Sequence, residues 1–207
     1  MDILGVMLEY TGDIMKRTLV FLALLASTAL LFGQDKPAQN QTEPNKSAQT
    51  KAASSKNPVT DTVREILSRQ QKNLTAAVEE MPADKFGWSP TPAQQTFGHL
   101  VMHMTMSNIE LCSKAANMPA PPARPAPETD KERLQAGLNK SFLFCEAALN
   151  KVDDSKLGDS VELYGGRQAT VAFALIALTS DWADHYSAAA MYLRLNGLLP
   201  PTAQPKK

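Results

Sequence analysis

The chain is short of most features that announce a chemical site. It has two cysteines and three histidines, so a cysteine-rich zinc module cannot be assembled, and a site built from imidazoles would use most of the supply. The cysteines lack Cys-x-x-Cys spacing, which excludes a redox pair of that kind. Aromatic residues make up 6% of the sequence and β-branched runs are scarce, so a strand-built core is disfavoured. Lysine plus arginine number 21 and aspartate plus glutamate number 21, a formal net charge of zero. With no basic stripe and no aromatic interleaving, the electrostatic footprint of a nucleic-acid partner is missing. No internal repeat is found. No apolar run reaches the roughly 20 residues that a membrane-spanning helix needs.

What is present falls into three parts. Met15-Lys16-Arg17 precedes TLVFLALLASTALLFG, Thr18 to Gly33. A short basic start, a compact apolar core and small residues near its end read as a secretory signal peptide, cleaved near Ala29 or Gly33. A membrane anchor is the alternative, disfavoured by length. Met15 reads as the natural start and the residues before it as an over-extended one, so residues 1–33 are set apart. Residues 34–58 are rich in Gln, Asn, Ser, Lys and Pro and almost free of large apolar side chains. They cannot bury enough surface to offset their ordering entropy and read as a disordered linker. The expectation is an exported protein, periplasmic or secreted, touching a membrane only through its signal. An oxidising compartment leaves two readings for Cys112 and Cys145: a disulfide stapling two helices, or two buried thiols packed as small hydrophobes. Export favours the disulfide.

Four amphipathic segments follow. The first spans Thr60 to Met81, with Val63, Ile66, Leu67, Leu74, Ala77, Val78 and Met81 at three- and four-residue steps. Thr62 and Glu65 fit a capping box near its start. The second opens at Thr91-Pro92-Ala93-Gln94, another capping-box pattern, and runs to Ala116. Met118 to Pro127 is proline-dense, which suggests a crossover and not a tight hairpin. The third opens at Thr129-Asp130-Lys131-Glu132 and runs to Val152, with Leu134, Leu138, Phe142, Cys145, Ala148 and Leu149 on one face. Residues 152–170 read as a loop turning at Gly165-Gly166. The fourth helix spans Thr170 to Asn196, stopped by Asn196-Gly197 and by Pro200-Pro201. The predicted fold is an all-α four-helix bundle over residues 59–201, with a long crossover between helices 2 and 3 and a flexible tail over 202–207.

Sites in bundles are built from inward side chains on facing helices. On the last helix one stripe reads Val171, Ala174, Leu178, Asp181, His185, Ala188, Tyr192. Asp181 and His185 therefore stand one turn apart on a buried face, where a lone carboxylate is costly. Such an aspartate is paired, metal-bound or close to the bundle mouth. On the second helix His99 and His103 are also one turn apart, a spacing that can bind metal but is a weak signal alone. His99 reads as a hydrogen-bonded residue at the helix edge, Trp88 as a plug at one bundle end and Trp182 as a helix contact.

The stretches WSPTPAQQTFGHLVMHMTMSNIELCSKAA, from Trp88, and DHYSAAAMYLRLNGLLPP, from Asp184, resemble the DinB-like family, and the resemblance covers the chain from about Val59 to Pro201. It implies an up-down-down-up bundle. It also implies a divalent metal held by three histidines, one on the second helix and two, one turn apart, on the fourth. His103 matches the first position and His185 the later of the other two. The remaining position is Asp181, where the family pattern has histidine. Two interpretations follow: a two-histidine, one-carboxylate site for zinc, nickel, iron or manganese, or a decayed site in which Asp181 merely hydrogen-bonds a histidine and no metal is held. His99, Asp184 and Tyr186 are the candidates for orienting the ligands. The resemblance further implies a small-molecule substrate, metal-dependent transferase or hydrolase chemistry, and room for a homodimer. The competing expectation is a non-catalytic exported module that kept the fold and lost the site.

Overall fold

The computed structural model describes residues 55–122 and 126–205. The expected signal, most of the expected linker and residues 206–207 lie outside the described residues. Four helices carry the domain: α1 (Pro58–Glu80), α2 (Phe97–Ala116), α3 (Lys131–Leu149) and α4 (Val171–Leu195). Their apolar stripes close on one core in which Leu74, Phe97, Leu100, Leu138, Phe142, Leu178 and Trp182 are buried.

The helix directions follow from contacts at the ends. Arg64, in the first turns of α1, donates to the Leu149 carbonyl at the end of α3 (2.7 Å). Lys131, opening α3, donates to the Glu79 and Met81 carbonyls at the end of α1 (2.8 and 2.7 Å). These two helices are antiparallel, and each basic side chain satisfies carbonyls that a helix C-terminus leaves open. Between α2 and α3 the pairings run in step: Asn108 with Ser141, and Cys112 bonded to Cys145 with Cα atoms 5.2 Å apart. These helices are parallel. Tyr192, late in α4, donates to the Gln95 carbonyl just before α2 (2.6 Å), so α4 runs against α2. The order is up-down-down-up. Parallel α2 and α3 oblige the chain from Asn117 to Asp130 to return along the bundle, which is the crossover that the proline-dense stretch suggests.

Helix starts differ from the pattern-based expectation. α1 begins at Pro58, ahead of Thr62, and its open amides are met from afar: Asp154 accepts from the Val59 and Thr60 amides (3.0 and 2.9 Å). α2 begins at Phe97, not at Thr91. Residues Thr91 to Gln94 close a turn instead, and the Phe97 and Gly98 amides are tied to the Trp88 and Phe86 carbonyls (3.0 and 2.8 Å). Thr96 is the N-cap, accepting from the His99 amide (3.0 Å). For α3 the cap is Asp130, not Thr129.

The all-α expectation also gains an element. Within 152–170 lies an antiparallel hairpin of β1 (Ser160–Leu163) and β2 (Arg167–Thr170), with Leu163 opposite Arg167. Its turn uses Gly165 and Gly166 at φ 67° and 79°, values open to glycine. At the other end, Pro201–Ala203 forms a 3-10 turn where a flexible tail is predicted. Tyr186 pins it, donating to the Thr202 hydroxyl (2.8 Å) and accepting from the Thr202 amide (3.0 Å).

Candidate metal centre

Two helices bring three ligand-type side chains together. α2 presents His103, and α4 presents Asp181 and His185 one turn apart. One ligand atom from each lies within 4.8 Å of the others, and the two imidazole rings are 5.1 Å apart between centroids. This is the one such group among the described residues. The His185 and Asp181 side chains are 10% and 23% exposed, while His103 is exposed, so the cluster is rooted in the core and open at its rim.

His185 is held in one tautomer. Its Nδ1 lies 2.6 Å from the Asp181 backbone carbonyl, which can only accept, so Nδ1 carries the proton and Nε2 keeps the lone pair that a metal uses. The Asp181 Oδ2 atom is 3.1 Å from the same Nδ1. Because the single Nδ1 proton is directed at the carbonyl, Oδ2 is buried without an aligned donor. Burial pushes the His185 pKa down, but the Asp181 carboxylate beside it overrides burial, and the net shift is upward. Two imidazoles and a carboxylate are a suitable donor set for divalent first-row ions. A cation would also satisfy the orphaned Oδ2, whose burial otherwise costs free energy. The residues fit a metal ion.

The other predicted residues take other partners. His99 Nδ1 is 2.8 Å from Glu128 Oε1, and Thr96 donates to Glu128 Oε2 (2.5 Å). Those two bonds, Thr96 first, hold the Glu128 carboxyl below its ordinary pKa. His99 therefore fastens the end of the crossover to α2 and does not orient His103. A Cβ on the neighbouring Gly98 would stand 1.7 Å from the Glu128 carbonyl, so the crossover lies directly on the helix there. Asp184 is exposed and reaches His185 only through its charge. Tyr186 belongs to the C-terminal turn. Trp88 packs edge-on against Tyr192 at a bundle end.

Residues that sequence reasoning passed over support the cluster from behind. Asn108 is 1% exposed, accepts from Trp182 Nε1 (2.6 Å) and donates to the Ser141 hydroxyl (2.9 Å), which donates to the Leu138 carbonyl (2.8 Å). This chain ties α2, α3 and α4 together one residue away from Asp181. Its signal was an asparagine in the apolar stripe of α2, between Met104 and Leu111. Tyr164, in the hairpin turn, had no signal. Burial first, and then the negative charges of Glu110 and Asp181, raise its pKa and keep its phenol protonated.

A family model for the DinB superfamily matches residues 66–189. No curated protein matches the chain at a significant level. Among solved structures, a DinB-like protein from Bacillus cereus ATCC 10987 shares the fold with a TM-score of 0.58 at 16% identity, covering 68% of this chain and 95% of that one. The packing of the four helices agrees with that shared fold, and, with the family model spanning most of the bundle, the chain belongs to the DinB superfamily.

Proposed function

We propose that this domain is an exported, divalent-metal-binding protein that acts on a small molecule, with His103, Asp181 and His185 as the ligands and hydrolysis or group transfer as the chemistry. The buried Asp181 Oδ2 without an aligned donor, beside an imidazole whose Nε2 is kept free, carries the reading. A bound ion would supply a Lewis acid and a water of lowered pKa. The protein's own part is positional. The Asp181 carbonyl fixes the His185 tautomer, and the exposed His103 leaves a path from solvent. Among the described residues both cysteines are in a disulfide, which leaves no thiol nucleophile and favours metal-assisted chemistry. Support for export comes from the segment Met15 to Gly33 and from that disulfide. Zero net charge supports a small-molecule substrate over a nucleic acid.

Elemental analysis after loading with zinc, nickel, manganese or iron(II) tests this. One ion per chain, lost in His103→Ala, Asp181→Ala and His185→Ala, supports it. A folded chain that takes up none of the four ends it. A second reading is favoured by aspartate standing where the resemblance implies histidine: a non-catalytic module with a degenerate site. In that case Asp181→His gains an ion that the parent chain does not hold.

A further inference from the structure

The outward face of α4 is unlike a solvated helix surface. On α1 the exposed positions include Glu65, Arg69, Lys72 and Glu79, the charged residues expected opposite an apolar stripe. On α4 nine positions are exposed, and only Asp184 and Arg194 among them are charged. Four hold large apolar side chains: Phe173, Ile176, Met191 and Leu195, exposed by 38, 63, 52 and 57%. The remaining three, Ser180, Ala183 and Ser187, are small. Steps of three and four residues from Phe173 to Leu195 place these seven on one strip, about 33 Å long at about 1.5 Å per residue. The strip is turned away from the bundle, into which the same helix sends Trp182 and His185.

The strip reads nearly the same from either end. Ile176 and Met191 are equally far from the midpoint between Ala183 and Asp184, and so are Ser180 and Ser187. Further out, Phe173 is balanced by Arg194. Such a face complements itself when a second copy is laid on it antiparallel, about a twofold axis at that midpoint. Ile176 of each copy then meets Met191 of the other, and the small residues let the two backbones approach near the axis. Arg194 comes to the Phe173 ring, which already attracts Arg167 of its own chain (4.3 Å). The two Asp184 carboxylates stay at the solvent edge, where screening keeps their repulsion small.

The area agrees with a dimer. The four apolar side chains leave on the order of 400 Å² of exposed apolar surface per copy, a patch of the size that marks interaction sites. Two copies would bury about 800 Å² of it. With apolar atoms forming about 60–65% of such an interface, the total is about 1,300 Å², inside the range of stable interfaces. A lipid surface fits less well, since the face carries one arginine and no lysine.

We propose that this face is a homodimer interface, in which two copies pair antiparallel through α4 with Ile176 set against Met191 and the twofold axis beside Ala183. Asp181 and His185 lie on the inner side of the helix, so the pairing does not depend on whether the cluster holds an ion.

Sedimentation equilibrium of the purified chain, from about 1 to 100 µM, tests the proposal. A dimer with a Kd on the order of micromolar is expected. Ile176→Glu and Met191→Lys, both at exposed positions, should each weaken it at least about tenfold while leaving the circular dichroism spectrum and the zinc uptake of the parent unchanged. The double variant Ile176→Glu, Met191→Lys sets opposite charges across the same contact twice and should pair more tightly than either single variant. A chain still monomeric at the highest concentration overturns the proposal. So does a dimer that neither single variant weakens, or a double variant no tighter than the single ones. A monomer that sediments with phosphatidylglycerol vesicles and is released by Ile176→Glu assigns the face to a lipid surface, and overturns the dimer as well.

Discussion

Replacing Trp182 with phenylalanine removes one N–H from the interior together with part of the ring's apolar body. In the native protein that N–H meets Asn108 Oδ1 at 2.6 Å, in a place where Asn108 is 1% exposed and Trp182 is 1% exposed. After substitution no water reaches the amide oxygen, and leaving a buried acceptor unpaired costs about 1–3 kcal/mol. The smaller ring leaves a gap against Phe142, its ring neighbour at 6.3 Å, and large-to-small changes in a packed core add a further cost of about 1 kcal/mol or more. The total is expected near 2–4 kcal/mol, a fall in Tm of roughly 5–12 °C for a domain of this size. Urea denaturation followed by circular dichroism measures it. A double-mutant cycle with Asn108→Leu isolates the hydrogen bond, because the two substitutions together remove both donor and acceptor and orphan neither. The coupling should be about 1–2 kcal/mol. A coupling below about 0.5 kcal/mol, within the usual error of additivity, would refute the assignment of Asn108 as the anchor of α4.

Other outcomes follow from the same structure. In the metal-free protein the folded pKa of His185 is raised above its ordinary value. The charged pair with Asp181 therefore stabilises fully below the unfolded pKa and is lost as pH rises through the folded one. Chemical denaturation across that window should show stability falling with rising pH, and Asp181→Asn should flatten the slope. In the metal-loaded protein the raised pKa lets protons compete earlier, so acidification should release the ion from above the ordinary histidine pKa, read by a chelating dye. Loss of the disulfide by Cys112→Ser, Cys145→Ser frees a loop with a sequence separation of 33. The chain-entropy relation gives about 3–4 kcal/mol for a loop of that length, to be checked by urea titration against the oxidised parent. Gly98→Ala forces a Cβ to within 1.7 Å of the Glu128 carbonyl. It should cost about 1–3 kcal/mol as overpacking and raise hydrogen exchange at Thr96 and His99, and an unchanged exchange pattern would show that the crossover does not rest on the helix.

How far the sequence could be read depends on whether a feature's cause is local. The helices were legible because their stripes are periodic: Val63, Leu67, Leu74 and Val78 on α1 are buried together as their spacing requires. The cluster was half legible. Spacing put Asp181 and His185 on one face, whereas their meeting with His103 depends on how α2 and α4 align. Helix starts misled because capping boxes are cheap patterns. Thr91 has the full pattern and Thr96 only the capping residue, yet Thr96 is the cap, and the choice is made by Trp88 and Phe86 carbonyls that bind the Phe97 and Gly98 amides. α1 has no local cap at all, since Asp154 supplies it from across the domain. The hairpin was missed because its strands are short and mostly exposed, with Leu163 alone buried, so no alternation stood out beyond the glycine pair. His99 reads from the sequence as a hydrogen-bonded residue at a helix edge, which it is, but its partner was not legible, because Glu128 directly follows a stretch that reads only as proline-dense.

The return of the chain between α2 and α3 also divides the molecule into two separable pieces. Scission anywhere along that return would leave α1 and α2 on one fragment and α3 and α4 on the other, still joined through the Cys112–Cys145 bond. His103 would then reside on the first fragment and Asp181 and His185 on the second. Ion uptake by fragments mixed after reduction would become a direct readout of whether the halves find one another again.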